Sequence, residues 1–353
     1  KYGDSTASYL VGATADATGA NLAAAINGLA GSTVAVNASG VVTVTAATAG
    51  TALPAISFTG AAGDTAGVTY STENVVGVAG GVYDMSGYTG VTNVNAEAEG
   101  AVNLKLASTT DATITTTSGA MTLAGGQNLT LTHGNTGANN ITVAAGKNVA
   151  VTANKATTGD VTLTAPTGTV DVNYNGSFAN TANATLGGVT VRSDGASVDV
   201  DVTSGASSAA LAATNYTVTQ GAISVTGGAT TTSVSVSQDA AVTAVAGTTA
   251  TGKVGVVQGA VTIADGAVNT TGTDTLTDVT IENFGTTTIT STVLNTLNVT
   301  ADATNTSGAI TIDKSGAGLE TSATALTIKG GGKIGAIDGT QADVYTSVAF
   351  NAD

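Results

Sequence analysis

The sequence lacks the residues that most enzymes use for chemistry. It has no cysteine and no tryptophan, and His133 is its one histidine. Lysine and arginine number 9 against 24 aspartates and glutamates, and charged residues make up 9% of the chain, where soluble domains usually carry about 25%. Acid–base and nucleophilic catalysis need histidine, cysteine or paired titrating groups. We therefore expect a protein that is not an enzyme.

The residues that are abundant predict a thin β-rich core. Glycine accounts for 47 of 353 residues, 42% of the chain is hydrophobic, and the mean hydropathy is +0.28, so the composition is not that of a disordered chain. The apolar side chains are mostly Val, Ala and Ile, with only 8 Tyr and 4 Phe. Small side chains fill a narrow sandwich or solenoid better than a wide globular core.

The net charge of −15 argues against nucleic acid as a partner and leaves carboxylates free to attract divalent cations. No apolar stretch reaches the ~20 residues of a membrane span. Because neither a signal peptide nor an initiator Met is visible at Lys1, we expect a mature or trimmed piece of a longer protein. An extracellular eukaryotic protein would often carry disulfides, so the lack of cysteine favours a bacterial surface.

Residues 1–80 predict a small α+β module with one helix. The helix is expected at Thr14–Ala30, with Gly31 as its C-cap. A hairpin should follow, with strands Thr33–Asn37 and Val41–Thr45 around a short turn that contains glycine. Two further short strands are expected at Ala55–Thr59 and Gly67–Tyr70.

From about Tyr83 onward, short alternating runs separated by polar turns predict an all-β chain. We divide it into a short-strand β domain (81–185), a sandwich-like β segment (186–245) and a β-solenoid-like repeat region (246–353). A right-handed parallel β-helix is favoured for much of residues 95–340, although no strict repeat length exists, and a Greek-key sandwich is the alternative. The residues expected to face one narrow core are Val279, Ile281, Ile289, Leu297, Val299, Ile310 and Ile312.

Two segments resemble bacterial surface-array proteins. They are VTGGATTTSVSVSQDAAVTA (Val225–Ala244) and LTDVTIENFGTTTITSTVLNTLNVT (Leu276–Thr300). Together with the strands that follow, they are similar to S-layer proteins of the β-strand-repeat kind that proteobacteria export by type I secretion. The resemblance covers roughly residues 222–335.

That resemblance implies an extracellular structural subunit that self-assembles into a lattice or filament. It also implies anchoring to outer-membrane lipopolysaccharide through another part of the precursor. One departure is clear, because the calcium-binding nonapeptide GGxGxDxUx of many exported relatives is missing, and the nearest segment is Gly80–Asp84. Calcium binding by such repeats is therefore not implied.

Paired carboxylates are the candidate metal ligands. Asp199 and Asp201 lie two apart in VDVDV, so both should point to one face of a strand, and Ca²⁺ takes six to eight oxygen ligands from such clusters. The candidate calcium ligands are Asp199, Asp201, Asp274, Asp278, Glu97 and Glu99. A lone histidine is a poor zinc site, so we expect His133 to be an exposed turn residue.

Two other functions remain open. A cell-surface adhesin or glycan-binding β-helix module would use exposed aromatic residues, and here the tyrosines are scattered. A polysaccharide lyase on a β-helix would need a carboxylate cluster with arginine or lysine in a groove, and the chain has one Arg and eight Lys.

Overall fold

The computed structural model describes residues 12–28, 33–46, 82–88, 90–178, 182–206, 216–239, 254–266, 274–302, 307–313, 324–329, 334–339 and 345–351. The chain forms two compact units, Lys1–Val78 and Ala79–Asp353. Each unit has its own hydrophobic core.

The first unit contains a helix, α1 (Ala15–Asn27), inside the predicted range. Thr14 is its N-cap, because the Thr14 hydroxyl accepts the Ala17 N–H at 3.1 Å. The C-cap predicted at Gly31 is wrong: the helix ends three residues earlier at Gly28, whose N–H donates to the Ala24 carbonyl at 3.0 Å. No helix in the described part of the chain is long and apolar enough to cross a membrane.

The predicted hairpin is present. Strands β1 (Thr33–Ala38) and β2 (Val41–Ala46) pair antiparallel. The turn residues Ser39 and Gly40 have φ of +53° and +87°, and two consecutive positive φ values are typical of the type I′ turn that matches strand twist. The strands predicted at 55–59 and 67–70 lie outside the described residues.

The second unit is built on two long parallel sheets of eleven strands each. The first sheet contains β4 (Asn93–Ala98), β6 (Asp111–Thr116), β8 (Asn128–His133), β10 (Asn148–Ala156), β12 (Thr169–Phe178), β15 (Ser197–Ala206), β18 (Ser233–Asp239), β21 (Asp278–Glu282), β23 (Thr296–Thr300), β25 (Thr324–Lys329) and β27 (Tyr345–Asn351). The second sheet contains β3 (Tyr83–Asp84), β5 (Val102–Lys105), β7 (Met121–Ala124), β9 (Ile141–Ala144), β11 (Val161–Thr164), β14 (Val189–Ser193), β17 (Ile223–Gly227), β20 (Val261–Asp265), β22 (Thr287–Thr290), β24 (Ile310–Asp313) and β26 (Ile337–Gly339).

A short third sheet accompanies the middle of the unit. It consists of β13 (Ala184–Thr185), β16 (Tyr216–Thr219) and β19 (Val254–Val257), also paired in parallel. From β3 to β12 the chain alternates between the two long sheets. Three times afterwards it also passes through the third sheet on its way from the first sheet to the second. The chain is therefore mostly β, as predicted.

Burial alternates along the strands, as the period-two pattern predicts. In β10 and β15, for example, valines at every second position are buried while the residues between them are not. The inward residues join one continuous core that runs from Val94 to Leu326. The seven residues predicted to face this core are at most 1% exposed, so that prediction is confirmed. Both long sheets continue across positions 185 and 245, where the sequence suggested domain changes.

A five-residue motif, which we call the glycine corner motif, introduces the strands of the second sheet from β5 onward. It reads Gly-x-Φ-x-Φ, where the Φ positions are usually Val, Ile or Leu; Asn139 replaces the first glycine in one copy, and Gly339 stands at the second Φ position of the last copy. Its copies begin at Gly100, Gly119, Asn139, Gly159, Gly187, Gly221, Gly259, Gly285, Gly308 and Gly335. Intervals range from 19 residues (Gly100 to Gly119) to 38 (Gly221 to Gly259). The motif therefore repeats in structure without a fixed sequence period.

The first position of the motif is glycine because the backbones of neighbouring copies approach each other closely there. A Cβ on Gly187 would lie 2.2 Å from the Gly159 carbonyl oxygen, and one on Gly221 would lie 2.0 Å from the Gly187 oxygen. The same holds for Gly259 against Gly221, at 2.0 Å. No side chain fits at these distances, so the copies that begin at Gly187, Gly221 and Gly259 each pack backbone to backbone on the copy before them.

Polar side chains inside the core connect the first sheet to these corners. The Thr116 hydroxyl donates to the Gly100 carbonyl at 2.8 Å, and the Tyr174 hydroxyl donates to the Gly159 carbonyl at 2.9 Å. Each of these bonds gives a corner carbonyl a hydrogen-bond partner from the first sheet. Burial raises the pKa of the Tyr174 hydroxyl.

The predicted exposure of His133 is wrong. His133 ends β8 with its side chain fully buried, and its Nε2 lies 2.8 Å from the Gly119 carbonyl oxygen. A carbonyl only accepts, so Nε2 carries the proton. The sequence pattern placed His133 next to a turn but did not reveal that its side chain points into the core.

Candidate metal site

The outer face of the first sheet carries the predicted aspartate pair. Asp199 and Asp201 alternate with buried valines in β15, and both side chains lie on the outer side, Asp199 exposed and Asp201 half-buried. The shared face follows from the period of two residues in a strand. The two carboxylates are neighbours along one strand, as the sequence predicts.

The parallel register adds a third carboxylate. Asp171 in β12 pairs with Asp199, and Asn173 pairs with Asp201. Partners on adjacent strands are about 4.8 Å apart. Burial and the nearby Asp199 charge raise the pKa of Asp171, although the Asn173 amide, which donates to Asp171 at 2.8 Å, acts in the opposite direction.

A second group of carboxylates forms where three strands of the same sheet end. Asp239 ends β18, Glu282 ends β21, and Asp302 follows β23 by two residues. One carboxylate oxygen from each lies within 4.8 Å of the other two. Among the described residues, this is the one group of three or more possible metal-binding side chains that meets that distance.

Asn283 holds this triad together. Its buried amide nitrogen donates to Asp239 Oδ1 at 3.0 Å and to Asp302 Oδ2 at 2.8 Å. Its amide oxygen accepts the Asp302 N–H at 2.8 Å. Asn283 has a φ of +48°, a left-handed conformation that asparagine tolerates better than most residues. This conformation ends β21 and turns the amide towards the two aspartates.

The two groups of carboxylates influence each other electrostatically. Burial and then the charges of Asp239, Asp302 and Asp201 raise the pKa of Glu282. Burial and then Asp199 raise the pKa of Asp201, with smaller contributions from Asp171 and Asp239 and an opposing hydrogen bond from Ser237. We call the six residues together the acidic face: Asp171, Asp199, Asp201, Asp239, Glu282 and Asp302.

No basic side chain neutralises the acidic face within the described ranges. The ion pair found among the described residues joins Lys105 and Asp84 at 2.9 Å, and it lies in the second sheet, away from the acidic face. Like charges this close are unfavourable unless a proton or a cation intervenes.

The triad fits a hard cation. Its ligand atoms are all carboxylate oxygens, which suit Ca²⁺ or Mg²⁺ and not the nitrogen and sulfur sites that zinc prefers. Three carboxylates supply at most six oxygens, so a bound Ca²⁺ would complete its shell with water or with a second molecule.

The other predicted ligands lie apart from the acidic face. Asp274 accepts the backbone N–H of Thr292 at 3.0 Å and also its hydroxyl. Asp278 begins β21 and accepts the Thr277 hydroxyl at 2.7 Å. Glu97, in β4, and Glu99, just after it, are exposed at the far end of the same sheet.

Asp239, Glu282 and Asp302 were not among the ligands predicted from the sequence. A shared signal was present, because each stands at or within two residues after the end of an alternating strand: SVSVSQD, DVTIE and TLNVTAD. They are 43 and 20 positions apart (239 to 282, and 282 to 302). Only the strand register, which the sequence alone does not give, brings them together.

A shallow groove of about 770 Å³ lies between the second and third sheets. Its walls are hydroxyl, amide, carboxylate and glycine groups with one leucine and two alanines: Thr158, Asp160, Thr162, Thr185, Leu186, Gly187, Gly188, Thr190, Thr219, Gln220, Gly221, Ala222, Gln258, Gly259 and Ala260. Of the tyrosines considered for sugar stacking, Tyr174 is fully buried in the core and so cannot stack on a sugar.

Comparison with known proteins gives no match: no family model fits the chain, and neither the curated proteins nor the solved structures contain a significant relative.

Proposed function

We propose that this chain is a structural subunit of an extracellular bacterial surface layer, that its second unit is a β-solenoid, and that divalent cations promote its self-assembly. The single observation that carries the proposal is the stacking of ten glycine corner motifs into parallel sheets with a continuous acidic face.

The solenoid assignment is supported by the strand pairing. Strands that follow one another in the chain lie in different sheets, and each pairs in parallel with the next strand of its own sheet. We call one passage through the sheets a coil. A Greek-key sandwich is made of antiparallel strands, whereas the pairings of the two long sheets are parallel.

A stack of coils suits a structural role. Each coil buries its apolar side chains against its neighbours, and the outward residues form extended faces along the stack. Such faces can make many equivalent contacts with other copies, which a lattice or filament requires. An extracellular location and an anchor to lipopolysaccharide elsewhere in the precursor belong to the same proposal, and they rest on the sequence resemblance.

Calcium is the cation we propose. A chain with a net charge of −15 repels its own copies, and the Debye length of about 8 Å at physiological ionic strength leaves contacts poorly screened. Ca²⁺ held by Asp239, Glu282 and Asp302 would remove local repulsion and would keep ligand positions open for a second copy. Asp171, Asp199 and Asp201 would add a second, weaker binding region.

A calcium titration followed by light scattering tests this proposal. The variant Asp239→Asn, Glu282→Gln, Asp302→Asn should need at least about tenfold more calcium to assemble than the parent chain. The control Glu97→Gln, Glu99→Gln, Asp278→Asn makes the same change in charge away from the triad and should assemble like the parent. Parent chains that stay monomeric at every calcium concentration would contradict the proposed function.

A further inference from the structure

The outer face of the second sheet differs chemically from the acidic face. The outward central residues of seven successive strands, β7 to β22, are hydroxyl residues in unbroken register. They are Thr122, Thr142, Thr162, Thr190, Ser224, Thr262 and Thr288. We call the outward surface of these strands the hydroxyl face.

The hydroxyl face is almost free of charge. The central hydroxyl residues form one column across the strands, and the outward residues two positions after them form a second column. The second column consists of Ala124, Ala144, Thr164, Arg192, Thr226, Ala264 and Thr290, all at least partly exposed. Arg192 is the one charged residue in the two columns, and Asp160, which is exposed and precedes β11 on the same side, is one strand away. These two opposite charges balance within the seven strands. Further carboxylates lie at the border of the face: the exposed Asp194 follows β14, and Asp313 continues the second column in the next strand, β24.

We propose that two copies of this chain pair through their hydroxyl faces. Copies that approach through their acidic faces meet like charges, whereas the hydroxyl faces present a neutral surface of small side chains that can pack closely. The inference rests on the proposed function, because it names the surface through which subunits of the array meet.

Charge complementarity fixes the orientation of the pair. A two-fold axis that runs along the stack of strands reverses the strand direction of the second copy. The outward positions that follow the central hydroxyls in one copy, which include Arg192, then lie over the outward positions that precede them in the other copy, which include Asp160. Arg192 and Asp160 differ by one strand, about 4.8 Å, which an arginine side chain spans. Each pair then contains two equivalent Arg192–Asp160 contacts. A two-fold axis along the strands would instead place each column over itself, and Arg192 would gain no aspartate partner.

The size of the face predicts a weak contact. Seven strands of about four residues cover roughly 29 Å by 13 Å, or about 380 Å² on each copy. The total of about 760 Å² is below the roughly 1,200 Å² of stable complexes. We therefore expect a pair that forms at high protein concentration and is reinforced in an array by many simultaneous contacts.

Sedimentation equilibrium in the presence of a chelator, where calcium-driven arrays are absent, tests the pairing. Arg192→Asp and Asp160→Arg should each weaken the pair at least about tenfold, since each places like charges opposite one another. The double variant that carries both changes swaps the charges and should recover the parental dissociation constant within about threefold. Lys155→Asp makes the same charge change on the outward side of β10, in the first sheet, and should leave pairing unchanged. Melting temperatures of all variants check that the fold survives.

Three results would overturn the inference: a parent chain that stays monomeric up to about 1 mM, a Lys155→Asp variant as impaired as Arg192→Asp, or a charge swap that fails to restore a pair lost in folded single variants. Calcium-driven arrays that form equally well with Arg192→Asp would reject the pairing and leave the proposed function standing. Pairs that form with no array at any calcium concentration would reject the proposed function and leave the pairing standing.

Discussion

Replacing Gly221 by alanine should force two neighbouring coils apart. The new Cβ would lie 2.0 Å from the Gly187 carbonyl oxygen, 2.3 Å from its carbon and 2.6 Å from the Gly188 nitrogen. These are backbone atoms, so no side chain can rotate away. Reaching an ordinary contact of 3.4 Å requires a separation of about 1.4 Å.

The size of the effect follows from what that separation breaks. The Val189 N–H donates to the Ala222 carbonyl at 3.0 Å, and a shift of this size would break that bond. Overpacking costs about 1–3 kcal/mol, and each lost hydrogen bond adds about 1 kcal/mol. We expect Gly221→Ala to lower the free energy of unfolding by about 2–4 kcal/mol, and hence the melting temperature by at least about 4 °C.

Gly255 provides the matched control. It lies in β19, and a Cβ there would meet no atom within 4 Å. Alanine at Gly255 should be neutral or should stabilise by up to about 1 kcal/mol. Urea unfolding followed by circular dichroism measures both variants. If Gly221→Ala unfolds like the parent, or if the two variants behave alike, the backbone stacking of the corners is refuted.

Three further predictions concern the core and the acidic face. Because Asp171, Asp201 and Glu282 have carboxyl pKa values raised above their unfolded values, their contribution to stability is full at low pH and is lost as the pH rises through the folded pKa values. Without calcium, the chain should therefore melt at a higher temperature when the buffer is acidified from pH 7 to a pH just above the ordinary pKa values of carboxyl groups. The double variant Asp201→Asn, Glu282→Gln should show a smaller change of melting temperature with pH. Val299 is fully buried, so Val299→Asp should cost at least about 4 kcal/mol in urea unfolding, and an unchanged midpoint would show that the alternation is misassigned. Asn283→Ala should cost about 3 kcal/mol, because it loses two hydrogen bonds to carboxylates and the favoured left-handed backbone; Asn283→Gly keeps the backbone and should cost less.

Local patterns were enough to predict the strands and the direction of their side chains. Alternation of apolar and polar residues identified Val279 and Ile281 as inward, and it placed Asp199 and Asp201 on one face, because a strand repeats every two residues. These features depend only on neighbours in the chain.

Long-range features were not predictable in the same way. The triad depends on which strands stand side by side, and residues that lie 20 to 63 positions apart meet only once the register is set. The glycine corner motif was missed because the intervals between its copies vary from 19 to 38 residues, which hides the repeat from a search for a fixed period. His133 was misplaced because its partner, the Gly119 carbonyl, lies in the corner that precedes a strand of the other long sheet.

Electron microscopy of the purified chain in matched calcium and chelator buffers tests whether calcium drives self-assembly. We expect ordered sheets or filaments with calcium, dispersal by chelation, and a circular dichroism spectrum that keeps its strand signal throughout. Dispersed single molecules in both buffers, or arrays that chelation leaves unchanged, would contradict this expectation.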